Sequence, residues 1–305
     1  MTKPTIAITG ANGFLGSALI EHFTAKGYSV IALVRKTHTS TNPLVTYRQY
    51  DITKPISKNT LQGADFLVHT AYVKYGRRGS PDAMEVNIKG AENLLVASKQ
   101  ARIKKTVFIS TMSAHESATS IYGRQKLAIE KLFLEEDGVV LRSGLILGHG
   151  GIVQDMAAFM KSKHVVPVIG GGKQPLQTIA IYDLAKVVET ALSPKLHGLF
   201  TVATSTIYTY KSFYQALAKS LGIRVAFIPV SYHVLMAAFR SAAVLRLPLN
   251  LGEDNLRGLQ QLRSADTAPD LKRLGVTIDD LETALNKINQ NLSASSAKSS
   301  TRRPA

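Results

Sequence analysis

A tyrosine and a lysine four residues apart can move a proton. A nearby ammonium favours phenolate and draws a tyrosine pKa of about 10 toward neutral pH. The sequence holds this pairing three times, at Tyr50 and Lys54, Tyr122 and Lys126, and Tyr182 and Lys186. Tyr50 and Lys54 leave a strand-like run and meet Pro55, so they do not share a helical face. Tyr182 and Lys186 stand in a helical stretch, where Asp183 reads as a cap or loop anchor. Tyr122 and Lys126 also have helical surroundings, and a spacing of four puts both on one face. The run "FISTMS" upstream brings the hydroxyls of Ser110, Thr111 and Ser113 to the end of a strand. Hydroxyl, phenol and ammonium together suit a reaction that leaves an alkoxide in need of a proton, as hydride transfer to a carbonyl does. The plain alternative is a pair on a solvated helix surface.

The second set of chemical residues is the run "ITGANGFLG", which places Gly10, Gly13 and Gly16 between the first strand and the first helix. A tight turn, a close approach of backbone to pyrophosphate and a helix packed on a strand each require a missing side chain. Asn12, Phe14 and Leu15 complete the turn at a helix N-terminus whose free N–H groups and dipole suit phosphate. The position in the chain, after a strand and before an amphipathic helix, is the context such a dinucleotide site needs. The second strand then ends Val34-Arg35-Lys36, with no carboxylate to accept from a ribose 2′-hydroxyl. Arg35 can grip a 2′-phosphate in a planar fork and Lys36 can add a point charge, so NADP(H) is expected over NAD(H). The alternative for Arg35 is stacking on adenine, or solvation.

These residues need a scaffold, and the hydrophobic pattern supplies one. Strand-like runs at 5–9, 29–34, 45–50, 65–70, 106–110 and 138–143 alternate with helical stretches at 14–26, 82–100 and 120–136. Such alternation predicts an α/β fold, a Rossmann-type doubly wound parallel sheet. Glycine-rich connections follow residue 144, helices are expected at 183–193 and 211–221, and the chain beyond 205 reads as a smaller, mostly helical C-terminal substrate lobe. The expected division is a dinucleotide-binding domain at 1–204 with a lobe excursion at about 145–180, a lobe with returning helices at 205–292, and a disordered basic tail at 293–305.

Composition bounds the partners. The 305 residues carry 37 Lys and Arg against 21 Asp and Glu, a formal charge of +16. That favours anionic partners such as phosphorylated small molecules. The basic residues are scattered without an aromatic-basic reading motif, so nucleic acid is not expected. The absence of cysteine removes disulfides and thiolate chemistry and fits a cytoplasmic protein. The eight histidines show no metal-ligand spacing, so no metal is expected. His69 and His115 fall near the expected cleft, where satisfied polar roles are the simpler reading. "GGGKQ" at 170–174 lacks the Ser or Thr of a P-loop. The N-terminus enters a strand at once, without a signal-peptide core. The apolar stretch 231–251 is broken by Arg240, Arg246 and Pro248, so no membrane span is expected. Peripheral membrane contact and a cover over an apolar substrate pocket both stay open for it.

The Gly-x-x-Gly-x-x-Gly spacing, with "YDIT" at 50–53, "VHTA" at 68–71, "VNIKGAENLL" at 86–95 and "GGKQPLQTIAIYDLAKVV" at 171–188, resembles the extended branch of the short-chain dehydrogenase/reductase family, which includes NAD-dependent epimerase/dehydratases. The resemblance runs from residue 5 to about 290 and is firm to about 190. It implies that Asp51 and Ile52 flank the adenine, Ala71 lines the cofactor groove and Asn87 braces the active site. It also implies that Thr111 bonds the substrate oxygen, that Tyr122 is the acid/base and that Lys126 holds the nicotinamide ribose. A homodimer through the helices at 82–100 and 120–136 is the family habit. Met112 and Ser113 stand where the family's 4,6-dehydratases carry Asp-Glu, and Ser143 stands where relatives have proline. The step from Thr111 to Tyr122 is short for a sugar-nucleotide epimerase. An NADP-dependent reductase of a carbonyl or secondary alcohol is therefore the expectation. An epimerase that retains its cofactor, or a non-catalytic dinucleotide sensor or assembly factor, is the alternative.

Overall fold

The computed structural model describes residues 3–73, 83–237 and 253–300. Its main element is a seven-stranded sheet built from β1 (Thr5–Thr9), β2 (Ser29–Val34), β3 (Val45–Gln49), β4 (Phe66–His69), β5 (Lys105–Thr111), β6 (Val139–Ser143) and β11 (Gly198–Val202). The spatial order is β11-β6-β5-β4-β1-β2-β3 and every neighbouring pair is parallel. The order reverses between β1 and β4. A doubly wound sheet opens a crevice at such a switch point, beyond the carboxyl ends of its strands.

Helices follow from apolar spacing. In α1 (Phe14–Ala25), Leu15, Leu19 and Phe23 recur at every fourth residue and are buried against the sheet. Fully burying a side chain such as Phe23 is worth about 1.5–3 kcal/mol. α2 (Ala83–Gln100) and α3 (Ile121–Glu135) pack on each other, and Ile129 and Phe133 of α3 join Phe108 and Val140 in one cluster. α5 (Ile181–Ala191) returns to the sheet beside α1. The strand and helix positions agree with the expected ones to within a few residues.

Beyond residue 205 the described chain is mostly helical, as expected, and the second lobe also holds short strands. It contains three short strand pairs: β7 (Leu145–Leu147) with β10 (Thr178–Ala180), β8 (Val165–Ile169) with β13 (Ala226–Val230), and β9 (Pro175–Leu176) with β12 (Tyr208–Thr209). Strands of two to five residues are too short to reveal a period of two. They surround α4 (Gly151–Lys163) and α6 (Tyr210–Ser220), which a reciprocal Thr209–Ser212 capping box opens. A separate core of Met160, Val166, Phe213, Leu217, Leu281 and Leu285 holds this lobe together.

Three late helices close the chain: α7 (Glu253–Gln260), α8 (Ala268–Leu274) and α9 (Leu281–Ser300). α9 extends through the first residues of the segment expected to be a disordered tail. Serine, alanine and lysine all tolerate helix, and no glycine or proline interrupts before Pro304. Residues 301–305 lie outside the described residues, as does the part of the apolar stretch 231–251 from 238 onward. Among the described residues no helix is long and apolar enough to cross a membrane.

Candidate active site

The glycine turn ends β1 and starts α1 at the switch point. Gly10 has φ of +66°, and a Cβ there would stand 2.8 Å from Thr70 Oγ1 and 2.9 Å from the Ala71 nitrogen. A Cβ on Gly16 would overlap the Gly10 carbonyl oxygen. Gly13 is the N-cap of α1 and no side chain caps the helix; its first turn carries no acidic residue. An uncapped helix start without a neighbouring carboxylate is a cradle for an anion, and the pyrophosphate of a nicotinamide dinucleotide fits it. Asn12 is exposed at the rim and Leu15 turns into the core. The ring of Phe14 leaves the turn and covers Gly148, Gly150 and Gly151, where any Cβ would strike it. Those glycines of the "GLILGHGG" run thus make room for Phe14, which only the folded chain reveals.

The loop after β4 forms the other wall. Thr9 Oγ1 accepts from the backbone N–H groups of Thr70 and Ala71, each at 3.1 Å. With both lone pairs taken, its hydroxyl proton goes to His69 Nδ1, 2.8 Å away. His69 is therefore neutral with its proton on Nε2. That atom is buried without a partner, so only half of the expected satisfied histidine is present. The ring stacks on Phe108 and Phe133. Burial, aided by the Lys126 charge, pushes its pKa down to about 3. Asn87 braces the same loop: its Oδ1 accepts from Val73 N–H and its Nδ2 donates to the Val73 and Ala83 carbonyls.

His69 gives a pH prediction. The unfolded chain takes up a proton near pH 6.5, whereas the folded ring resists until about 3. Its contribution is complete above pH 6.5 and falls by ~1.4 kcal/mol per pH unit below it, toward pH 3. His69→Asn keeps an acceptor for Thr9 but cannot titrate. Urea melts between pH 7.5 and 5, spanning the pH range where the unfolded ring protonates, should show a shallower loss for the variant, though a lower starting stability. Equal slopes would rule out this ring as the source.

Thr111, Tyr122 and Lys126 come together where β5 ends and α3 begins. β5 is buried from Lys105 to Ser110 and surfaces at Thr111. Ser120 caps α3 through its hydroxyl, which accepts from Gly123 N–H at 3.1 Å. One turn of helix then carries both Tyr122 and Lys126. A Cβ on Gly123 would overlap the Ser113 carbonyl oxygen, so the helix start needs glycine there. The Thr111 side chain lies beside the Tyr122 hydroxyl, and the phenol ring meets Tyr72 edge to face at 5.4 Å. Lys126 is 6% exposed; its Nζ donates to the Ile109 carbonyl at 2.8 Å and lies 4.6 Å above the Phe108 ring.

Electrostatics corrects one expectation. Burial raises Tyr122 above its ordinary value, opposed only by the Thr111 side chain. The Lys126 ammonium does not bring it down: Nζ stands 6.0 Å from the ring centre and is engaged elsewhere. Burial also lowers Lys126, to about 8, with the Glu130 charge holding it up. Desolvation exceeds the pairing because Lys126 is buried and Tyr122 half-buried.

Of the other hydroxyls, Ser110 is taken. It donates to Glu130 Oε1, and Glu130 in turn holds Arg142 through two bonds of 2.8 and 2.6 Å. Thr111 lies beside the phenol, and the other rival, Ser113, donates its backbone N–H to Thr111 Oγ1 at 3.2 Å. Of the two other Tyr–Lys pairs, one is split between core and surface and the other is engaged. Tyr50 is buried beyond β3, while Lys54 is exposed. Tyr182 donates to Asp279 and Lys186 to Asp183. Asp183 also accepts from Asp279 N–H, which makes it a loop anchor; it does not cap α5.

At the end of β2, Arg35 and Lys36 are exposed. Asp51 faces them across the crevice end: burial alone would raise its carboxyl, but bonds from Thr53 and the charges of Lys54 and Arg35 hold it below the ordinary range. Ile52 points into the core, with its side chain and its carbonyl oxygen both against Gly90. An open cavity of about 430 Å³ lies in the second lobe, lined by Ile169, Gln174, Tyr232, His233 and Gln260 among others. Among the described residues no cluster of three metal-ligating side chains occurs.

Comparison with known proteins follows this geometry. The family model described as NAD dependent epimerase/dehydratase family matches residues 6–199. Over 109 residues the chain is 38% identical to the 2-alkyl-3-oxoalkanoate reductase of Shewanella oneidensis; the match covers 35% of this chain and 28% of that protein. A solved structure of UDP-N-acetylglucosamine 4-epimerase from Bacillus cereus superposes with a TM-score of 0.72 at 20% identity, covering 95% of this chain and 97% of that one. The human epimerase family protein SDR39U1 (isoform 2) with NADPH superposes with a TM-score of 0.74 at 22% identity, covering 94% and 99%.

Proposed function

The chain belongs to the NAD-dependent epimerase/dehydratase family, and from that premise we propose that it is an NADP(H)-dependent oxidoreductase acting on a carbonyl or secondary alcohol. The observation that carries this reading is the placement of Tyr122 beside Thr111, with Lys126 buried on the same helix, at the carboxyl end of β5. A nicotinamide dinucleotide, when bound, supplies or accepts the hydride. Gly10, Gly13 and Gly16 with the start of α1 would hold its pyrophosphate, and Arg35 and Lys36 the 2′-phosphate. Thr111 and Tyr122 present two hydroxyls to one substrate oxygen. Tyr122 gives that oxygen its proton, and Lys126, further along the same helix, would hold the nicotinamide ribose. A phenol that is protonated at neutral pH can hand its proton to the alkoxide that hydride transfer leaves.

The experiment is NADPH consumption across a panel of aldehydes, ketones and 3-oxo acids, with NADH in parallel. Arg35→Ala removes a charge-assisted contact of about 1.5–3 kcal/mol, so NADPH affinity should fall about 10- to 100-fold while NADH affinity stays within about twofold. An unchanged NADPH affinity would refute the cofactor assignment. The second reading is a sugar-nucleotide epimerase, a name borne by the Bacillus cereus neighbour. Cofactor retained through purification, with no net NADPH loss during turnover, would favour it. NADPH binding without turnover anywhere in the panel would favour a sensor.

A further inference from the structure

The helix that carries Tyr122 and Lys126 has no acidic residue in its own first turn. Its positive end is met instead from the second lobe, 130 residues later in the chain. Asp254, in the first turn of α7, accepts from Ile121 N–H at 2.6 Å through one carboxylate oxygen and from Tyr122 N–H at 3.2 Å through the other. Ser120 takes the third N–H, that of Gly123. The free donors of the first turn are thus met in sequence, two of them by a charged group that complements the dipole.

A second contact lies one step back. Gln261, just beyond α7, accepts through Oε1 from Thr119 N–H at 2.6 Å and from the Thr119 hydroxyl at 2.9 Å. Its backbone carbonyl meets His115 Nε2 at 3.2 Å. α7 lies close between these points: a Cβ on Gly258 would be in ordinary contact with Ser120. The far end of the same helix, at Gln260, lines the second-lobe cavity.

We propose that Asp254 is a positioning residue for Tyr122, and that α7 clamps the start of α3 so that the phenol is held against Thr111. This deepens the reading of Tyr122 as acid/base and rests on it. Asp254 acts through the backbone N–H of Tyr122, and its carboxylate is not among the groups that shift the phenol. The residue was not legible in the sequence, because "GEDNL" reads as an ordinary acidic helix start.

The test compares full-length wild type, Asp254→Ala and Asp254→Asn. Amide exchange at Ile121 and Tyr122 should rise about five- to tenfold in the alanine variant, the equivalent of a lost cap. kcat should fall roughly 10- to 100-fold with misplacement of the phenol, while NADPH affinity stays at the wild-type value, because the glycine turn is untouched. Asp254→Asn keeps one acceptor and should fall between the two. Tyrosinate absorbance, read against a Tyr122→Phe background, gives a second measure: the alanine variant should titrate closer to a free phenol. Wild-type exchange at Ile121 and Tyr122 in Asp254→Ala, or faster exchange with kcat unchanged, overturns the clamp. Should wild type reduce no carbonyl, the oxidoreductase reading fails; exchange and the phenol titration then decide the clamp alone.

Discussion

Tyr122→Phe is expected to lose about 10²- to 10⁴-fold in turnover, the range that one positioned proton donor contributes. The variant keeps the ring, so the edge-to-face contact with Tyr72 and the packing of α3 remain. What leaves is one hydroxyl and its contact with Thr111. Thr111 stands at the strand end and can turn to solvent, so the stability cost is about 1 kcal/mol or less. NADPH binding, followed by fluorescence, should be unchanged, because the dinucleotide cradle lies at Gly10–Gly16. The decisive measurement is single-turnover reduction with NADPH at saturation. A rate within twofold of wild type would exclude Tyr122 as the proton donor and leave the serine and threonine hydroxyls to be tried.

Gly16→Ala is expected to damage both fold and binding. The added Cβ would overlap the Gly10 carbonyl oxygen and stand 2.8 Å from Ala11 Cα. These are backbone atoms of the turn itself, and no side chain can swing aside to relieve them. α1 must move off β1, which costs about 1–3 kcal/mol or more as overpacking. The N–H groups at its start then lose their aim. Two charge-assisted contacts at about 1.5–3 kcal/mol each are at stake, so NADPH affinity should drop about 100-fold or more. Gly27→Ala is the internal control. Gly27 has φ of +77° at the other end of α1, and a Cβ there meets nothing within 4 Å. That variant should lose about 1–2 kcal/mol from strain and bind NADPH as wild type does. Chemical denaturation and cofactor titration on the two variants separate backbone strain from close approach.

The sheet and its helices were legible because they obey simple periods. β1, β2 and β5 are continuous apolar runs, as strands covered on both faces must be. α1 shows its buried face at Leu15, Leu19 and Phe23. The glycine turn was legible because each glycine answers a local need that can be stated without knowing the rest of the chain. The second lobe was harder. Its strands are two to five residues long, and β9 pairs with β12 across some thirty residues of chain, so no local period marks them.

The site divides along the same line. Sequence by itself determined which groups could do the chemistry: a phenol and an ammonium on one helical turn, a hydroxyl at a strand end, three glycines before a helix, and an arginine in place of a carboxylate after the second strand. Only the tertiary structure decided which groups were free to do it. It tied Ser110 to Glu130, Tyr182 to Asp279 and Lys186 to Asp183, leaving Tyr122 beside Thr111. It also set the sign of the Tyr122 shift, since desolvation depends on how closely other segments pack around the phenol. Spacing along a chain reports which side chains one helix can bring together. Burial, and a carboxylate arriving from 130 residues away, depend on contacts that the order of residues does not encode locally.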